Sequence, residues 1–144
     1  MKDKYGTPYN LELNEIVNEV GAIINAGADT TSIAITQVMF NLIRHPEHLQ
    51  TLRTEVDSAL GTSREHIVTP YAAVKDLPFL RACLDESLRL MPPTPHGLPR
   101  RTPAEGTNIM GQWIPGETSV SMTAYAAHHD PSIFPAPTEF QPQR

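Results

Sequence analysis

The chain has 144 residues, of which 40% are hydrophobic, and a formal net charge of -5 at neutral pH. This acidity argues against nucleic acid as a partner, because neutralising phosphates requires clustered lysine and arginine. The single cysteine, Cys83, excludes an internal disulfide and an all-cysteine metal site. No apolar run approaches the ~18 residues that cross a bilayer, so we expect no transmembrane segment in this chain.

The first predicted element is a long helix over residues 11–45. Apolar residues recur there at i, i+4 and i+7, as in Ile16, Val20 and Ile23, which is the spacing of one helical face. Further apolar residues widen this stripe beyond a single face, so we expect the helix to have neighbours on several sides.

Prolines stand where three shorter helices should begin, because proline favours the first turn of a helix. The predicted helices cover 46–60, 70–75 and 78–91. Pro92 and Pro93 end the last of them, because proline interrupts helical hydrogen bonding. The acidic side chains of Glu47, Glu55 and Asp57 are expected to form a solvated face of the helix over 46–60.

The remaining sequence predicts a small β region over 97–122 and an irregular, proline-rich tail over 123–144. The turn signal Pro115-Gly116 predicts a hairpin that pairs 107–114 with 117–122. The fold class is therefore mainly α with a small β-hairpin, and the unequal helices indicate an internal slice of one larger domain.

Residues 26–31, with the sequence AGADTT, interrupt the apolar helix with residue types that disfavour helices. Gly27 costs about 1 kcal/mol relative to alanine, and threonine hydroxyls bond back to carbonyls of the preceding turn. One interpretation is that the glycine lets another helix cross closely. The other is a widened groove in which a hydroxyl and a carboxylate meet a small molecule. The motif alone leaves both interpretations open.

A second candidate cluster lies in the last predicted helix. Glu86 and Arg89 are three residues apart and share a helical face. On an exposed face such a pair contributes only a few tenths of a kcal/mol, whereas a partly buried pair needs further partners. Arg144 is a candidate partner, because the aromatic side chain of Phe140 could anchor the segment that carries it.

Seven motifs follow one another in a recognisable order. They are AGADTT, His45-Pro46-Glu47, Glu86 to Arg89, Gly97-Leu98-Pro99-Arg100, Ile114-Pro115-Gly116, Phe134-Pro135 and Phe140-Gln141-Pro142-Gln143-Arg144. This order resembles the cytochrome P450 superfamily of haem-thiolate monooxygenases, in its eukaryotic form. The resemblance runs from Leu11 to Arg144. It implies a partial cytochrome P450 fold, namely a central fragment without the N-terminal half, in which the tail is the start of the family's meander.

The resemblance implies that the long helix is the distal helix of the haem site. Thr30 would hydrogen-bond dioxygen, and Asp29 would feed the proton relay. Ala26 and Gly27 would border the haem, where the missing side chain of glycine leaves room for the ligand. Ile23 and Ala26 would also face the substrate pocket.

Other roles implied by the resemblance fall outside this helix. Glu86, Arg89 and Arg144 match a structural triad that fixes the loop beneath the haem, so they would be scaffold rather than catalyst. Arg100 would pair with a haem propionate through a charge-assisted hydrogen bond. Its neighbour Arg101 is the alternative for that role.

No metal ligand is expected within this chain. By the same resemblance, the axial cysteine of the iron would lie in a glycine-rich loop beyond Arg144, and Cys83 is expected to be a small core residue. Two histidine pairs lack a third ligand at a recognisable spacing and are expected to be structural or solvated. These pairs are His45 with His48 and His128 with His129.

The implied function is a haem-dependent monooxygenase that inserts one oxygen atom into a small apolar substrate. It would use dioxygen and electrons from a flavoprotein reductase, at the cytosolic face of the endoplasmic reticulum membrane in a full-length member. The alternative is a truncated or decayed, non-catalytic chain without thiolate ligation. The 144 residues alone are expected to be inactive, because the thiolate supplies the electron density that favours oxygen cleavage.

Overall fold

The computed structural model describes residues 11–61 and 68–144, and this part of the chain is mainly α-helical with two small sheets. The helices are α1 (Leu13–Arg44), α2 (Pro46–Leu60), α3 (Tyr71–Val74), α4 (Pro78–Leu90) and α5 (Ala124–His128). The strands are β1 (Arg100–Arg101), β2 (Thr107–Ile109), β3 (Gln112–Ile114) and β4 (Ser119–Val120). None of these helices combines the length and the apolar character that crossing a membrane requires.

Helix α1 is a single unbroken helix of 32 residues. The Glu15 carboxylate accepts a hydrogen bond from the backbone N–H of Glu12 at 2.9 Å, which ties down the first turn. At the other end, the backbone N–H of His45 donates to the carbonyls of Asn41 and Leu42. Pro46 then begins α2, so His45 is the only residue between two helices.

The hydrophobic core lies where the second half of α1 packs on α4. Val38, Leu42, Cys83 and Phe140 form this core. Partly buried side chains pack around it, and these are Leu49, Leu52, Phe79 and Leu90. The first half of α1 carries apolar side chains that are exposed in this part of the chain, for example Ile23 at 68%. That surface fits the expectation that the helix has neighbours on several sides.

The hairpin is shorter than the sequence predicted, and its partner strand is different. β2 pairs with β3, with Thr107 opposite Ile114 and Ile109 opposite Gln112. This pairing leaves Met110 and Gly111 as the two turn residues. Both have positive φ, of 51° and 84°, as a two-residue type I′ turn requires. The prediction was wrong because methionine rarely occupies such a position, so the turn signal was weak.

The segment predicted to complete that hairpin pairs elsewhere. β4 is antiparallel to β1, with Arg100 opposite Val120 and Arg101 opposite Ser119. The strand before the hairpin and the strand after it therefore join at the hairpin's base. This second sheet was not predicted, because two-residue strands carry no measurable alternation.

The tail contains one helical turn within the stretch predicted as irregular. The Thr123 hydroxyl accepts a hydrogen bond from the Ala126 N–H at 3.2 Å, which is the N-cap arrangement that starts α5. The Tyr125 ring stacks on the His129 ring, with centroids 4.1 Å apart. The chain beyond this turn has no regular structure and is ordered by side chains of α4.

Candidate functional site

Glu86 lies at the centre of a buried ion cluster. Its two carboxylate oxygens accept hydrogen bonds from Arg89, at 2.7 Å from Nε and 3.0 Å from Nη2. One of these oxygens also accepts from Arg144 Nε and from the backbone N–H of Gln141, each at 3.0 Å. Glu86 is 4% exposed and Arg89 is 7% exposed. The structure therefore brings together the three residues predicted to form one cluster.

The two arginines use their other N–H groups to order the tail. Arg89 donates to the carbonyl oxygens of His128 (2.7 Å), Pro137 (2.8 Å) and Glu139 (3.3 Å), and Arg144 to those of Pro135 (2.8 Å), Ala136 (3.2 Å) and Glu139 (3.2 Å). Within 11–61 and 68–144, every buried side-chain nitrogen and oxygen has a hydrogen-bond partner. The cluster thus meets the condition for stable burial of charge, which is that all donors and acceptors are satisfied.

The arrangement keeps Glu86 ionised. Burial alone would raise the pKa of this carboxyl, but hydrogen bonds from Arg89, the Gln141 N–H and Arg144, together with the charge of Arg89, outweigh burial and lower the pKa. The cluster is consequently one ionised carboxylate held between two arginines, with no carboxyl proton to exchange near neutral pH. This property suits a scaffold rather than a general acid or base.

Helix α4 is held on both sides of Glu86. Asn41 of α1 donates a buried hydrogen bond to the Ser87 hydroxyl at 3.2 Å. Cys83, one turn earlier, is completely buried in the core. Burial, with a smaller contribution from the charge of Glu55, raises the pKa of this thiol to about 11. The thiol stays protonated at neutral pH, which fits a core residue and not a reactive cysteine or metal ligand.

Glu55 makes an interhelical contact that the sequence did not predict. Its carboxylate accepts the backbone N–H groups of Phe79 and Leu80 at 2.8 and 2.9 Å. Glu55 is partly buried, so it does not belong to the solvated face expected for α2. The sequence does indicate that α4 needs a cap from elsewhere, because Leu77 at its N-cap has no side chain able to cap the helix. The partner itself lies 24 residues away and was invisible to local pattern.

The structure distinguishes Arg100 from Arg101. As neighbours in β1, their side chains point to opposite faces. Arg101 pairs with Glu117 at 2.8 Å. Arg100 donates to the carbonyls of Pro99 and Leu98, and it forms no ion pair with any carboxylate in the part of the chain that the structure describes.

Arg100 lies in a groove between the two small sheets. The groove has a volume of about 550 Å³. Its other lining residues are mostly apolar and include Leu98, Ile109, Met110, Val120 and Met122. A cation that is unpaired among the described carboxylates, in a mostly apolar groove, is suited to an amphipathic anion.

The candidate residues of the long helix lie apart from the Glu86 cluster. Ile23, Gly27 and Thr30 follow i, i+4, i+7 spacing and share one face of α1, whereas Asp29 lies about 100° around the helix from Thr30. Ala26 and the other four residues are exposed in the described part of the chain. Among its helices and strands, α1 contacts only α2 and α4.

The AGADTT segment is regular helix. The Thr30 hydroxyl donates to the Ala26 carbonyl at 2.7 Å, so the threonine bonds back one turn as its residue type predicts. A Cβ added at Gly27 would have no atom of the described residues within 4 Å. The close helix crossing proposed for this glycine is therefore not formed by these residues.

The histidine pairs take part in packing. The rings of His45 and His48 are 5.9 Å apart between centroids, and both lie against Phe140. His128 Nδ1 lies 3.2 Å from the Arg89 carbonyl, and His129 Nδ1 lies 2.9 Å from the Tyr125 carbonyl. Across the two described ranges, no three His, Cys, Asp or Glu side chains lie close enough to hold a metal ion.

Comparison with known proteins gives a consistent result. A family profile described as "Cytochrome P450" matches residues 1–144. Among curated proteins, the chain is 40% identical over 129 residues to cytochrome P450 monooxygenase BOT1 of Botryotinia fuckeliana, which covers 90% of this chain and 25% of that protein. It is 37% identical over 134 residues to cytochrome P450 monooxygenase atr2 of Stereocaulon alpinum, covering 93% and 26% respectively.

Solved structures match over similar lengths. A zebra fish cytochrome P450 determined with abiraterone superposes with a TM-score of 0.77 at 26% identity, over 96% of this chain and 33% of that one. A retinoic acid bound cyanobacterial CYP120A1 superposes with a TM-score of 0.79 at 26% identity, over 100% and 31%. The chain thus spans about a quarter of the curated relatives and a third of the solved ones.

Proposed function

The chain belongs to the cytochrome P450 family, and from this premise we propose that it is the central part of a haem-dependent monooxygenase. Haem is the cofactor that the family and the structural neighbours imply. When bound, haem supplies the redox-active iron at which dioxygen is reduced. The activity of the whole protein remains part of the proposal, because the chain spans only a quarter of its curated relatives.

The observation that carries the proposal is the position of Arg100. A haem propionate edge is an anion attached to a large apolar ring. Arg100 offers a cation that pairs with no carboxylate of residues 11–61 and 68–144, in a mostly apolar groove. Arg101 is already paired with Glu117. We therefore assign the propionate to Arg100 and a structural ion pair to Arg101. Ala26 and Gly27 would border the haem from α1.

Thr30 and Asp29 would manage protons on the oxygen side of the site. Thr30 holds its proton at Oγ1 and donates it to the Ala26 carbonyl at 2.7 Å, so its lone pairs are free to accept a hydrogen bond. To donate to dioxygen, the hydroxyl must release the Ala26 carbonyl. Asp29, which is exposed in the described part of the chain, would take up a proton from solvent and relay it to replace the one that Thr30 passes on.

Glu86, Arg89 and Arg144 would act as a scaffold. This role is supported by the burial of the cluster, by its lack of an exchangeable carboxyl proton and by its hydrogen bonds to the tail. We propose that the ordered tail in turn supports the loop that ligates the iron. Residues 1–144 would accordingly be one part of one cytochrome P450 domain.

The remaining assignments concern the molecules that the enzyme meets. We propose a small apolar substrate, contacted by Ile23 and Ala26, together with dioxygen and a flavoprotein reductase. The solved relatives were determined with abiraterone and retinoic acid, which supports an organic substrate of this class. The proposed location is the cytosolic face of the endoplasmic reticulum membrane.

Haem binding by matched arginine variants tests the proposal. In the full-length protein, Arg100→Gln should weaken haem binding about 10- to 100-fold, the cost of one charged hydrogen bond. Arg101→Gln is the control and should leave haem binding unchanged, because its ion pair is exposed. Haem content and dissociation rate are measured from the haem absorption band. Equal losses in both variants would contradict the assignment, and no incorporation of isotope-labelled dioxygen into any organic product would contradict monooxygenation.

A further inference from the structure

The N-terminus of α4 is capped by a residue of another helix. The first N–H groups of a helix have no partner within the helix. In α4, Leu77 at the N-cap has no side-chain acceptor, and Pro78 has no N–H. The next two N–H groups, of Phe79 and Leu80, donate to the two carboxylate oxygens of Glu55 at 2.8 and 2.9 Å.

This cap differs from an ordinary one in what it connects. A serine, threonine, aspartate or asparagine at position 77 could cap one of these N–H groups within α4 alone. Glu55 satisfies them from α2, so the same two hydrogen bonds also join two helices. Its negative charge faces the positive end of the α4 dipole, and its partial burial reduces screening of that attraction.

The tail contacts α2 and α4 at consecutive residues. The Phe140 ring packs on the ring of His48 in α2, with centroids 5.6 Å apart, and on the ring of His45 just before α2, at 5.2 Å. The next residue, Gln141, donates its backbone N–H to Glu86 of α4 at 3.0 Å. The Cα atoms of adjacent residues are only about 3.8 Å apart. The separation of α2 from α4 must therefore allow the Phe140 contact and the Gln141 hydrogen bond at the same time.

We propose that Glu55 is a positioning residue that sets this separation, and that docking of the tail on Glu86 depends on it. Glu55 acts through α4, because it forms no hydrogen bond with Arg89 or Arg144. An effect of Glu55 on haem binding rests on the proposed scaffold role of the Glu86 cluster. The effect of Glu55 on docking of the tail is independent of that role.

Three variants of the full-length protein separate positioning from simple capping. Glu55→Gln removes the charge and one acceptor. Glu55→Gln combined with Leu77→Ser restores a cap to α4 without restoring the link to α2. Asp57→Asn is the matched control, because it makes the same carboxylate-to-amide change on an exposed side chain of the same helix.

Hydrogen exchange at the tail amides is the measurement, together with the urea midpoint and haem content. Glu55→Gln should speed exchange of the hydrogen-bonded amides of Gln141 and Arg144 about fivefold or more, the factor expected for loss of one cap. Leu77→Ser should recover the urea midpoint but not the protection of the tail. Asp57→Asn should change neither tail exchange nor the urea midpoint.

Two results would overturn the proposal. The first is unchanged tail exchange in Glu55→Gln. The second is full recovery of tail protection in the double variant with Leu77→Ser, which would mean that Glu55 acts only as a helix cap. If Glu55→Gln does not fold, Glu55→Asp keeps the charge on a shorter side chain and is expected to fold with a loosened tail. A loosened tail with unchanged haem content would support positioning by Glu55 and contradict the scaffold role of the Glu86 cluster.

Discussion

Replacing Glu86 by glutamine removes one charge from the centre of the ion cluster while keeping the size of the side chain. The carboxylate accepts four hydrogen bonds, two from Arg89, one from Arg144 and one from the Gln141 N–H. The amide oxygen of glutamine can keep the position that accepts three of them. The amide nitrogen would then face the Nε of Arg89, and two donors would meet where the structure has a 2.7 Å hydrogen bond.

The cost is that of breaking a buried ion pair from one side. Arg89 is 7% exposed, so its charge would lose its counter-ion without gaining water. Such changes cost about 3–5 kcal/mol, which raises the unfolded fraction about 10²- to 10⁴-fold. The carbonyls that Arg89 also contacts are neutral and cannot replace the lost charge.

The adjacent carboxylate provides a matched control. Asp85 pairs with Arg81 at 2.7 Å, but both side chains are more than half exposed. Asp85→Asn should therefore leave stability nearly unchanged, since exposed pairs contribute little. The assay is urea unfolding of the full-length protein followed by far-ultraviolet circular dichroism. If the two variants lose the same free energy of unfolding, the reasoning from burial is wrong.

Two further predictions concern protons. Because the pKa of Glu86 is lower in the folded chain than its ordinary value of 4.5, the unfolded chain binds more protons in acid, and the stability from this group is present above that value and lost as the pH falls below it. Urea midpoints measured across this range should fall more steeply for the wild type than for Glu86→Gln, and parallel curves would contradict the assignment. In the complete enzyme, Thr30→Ala should raise electron consumption per product formed, because the hydroxyl that would pass protons to dioxygen is gone. The measurement is the ratio of reductant oxidised to product formed. Thr36→Ala is the control, because it removes another hydroxyl of α1 that bonds back to the preceding turn. An unchanged ratio in Thr30→Ala would refute the role of Thr30.

Elements governed by neighbouring residues were predictable from the sequence. The predicted helix over 78–91 is observed as Pro78–Leu90, because the apolar period and the flanking prolines are local signals. The long helix shows the same agreement, with 11–45 predicted and Leu13–Arg44 observed. The turn at Met110 was missed because a methionine with positive φ runs against local preference.

The sequence by itself determined the helices, the candidate pairing of Glu86 with Arg89 and the resemblance to the family, since each of these depends on spacing along the chain. Only the tertiary structure decided which of Arg100 and Arg101 has no carboxylate partner among the described residues, and what Glu55 contacts. The physical reason is that partners 16 and 24 residues away enter these interactions. Whether a charge is buried, paired or available depends on how the elements pack, and local pattern contains no measure of that packing.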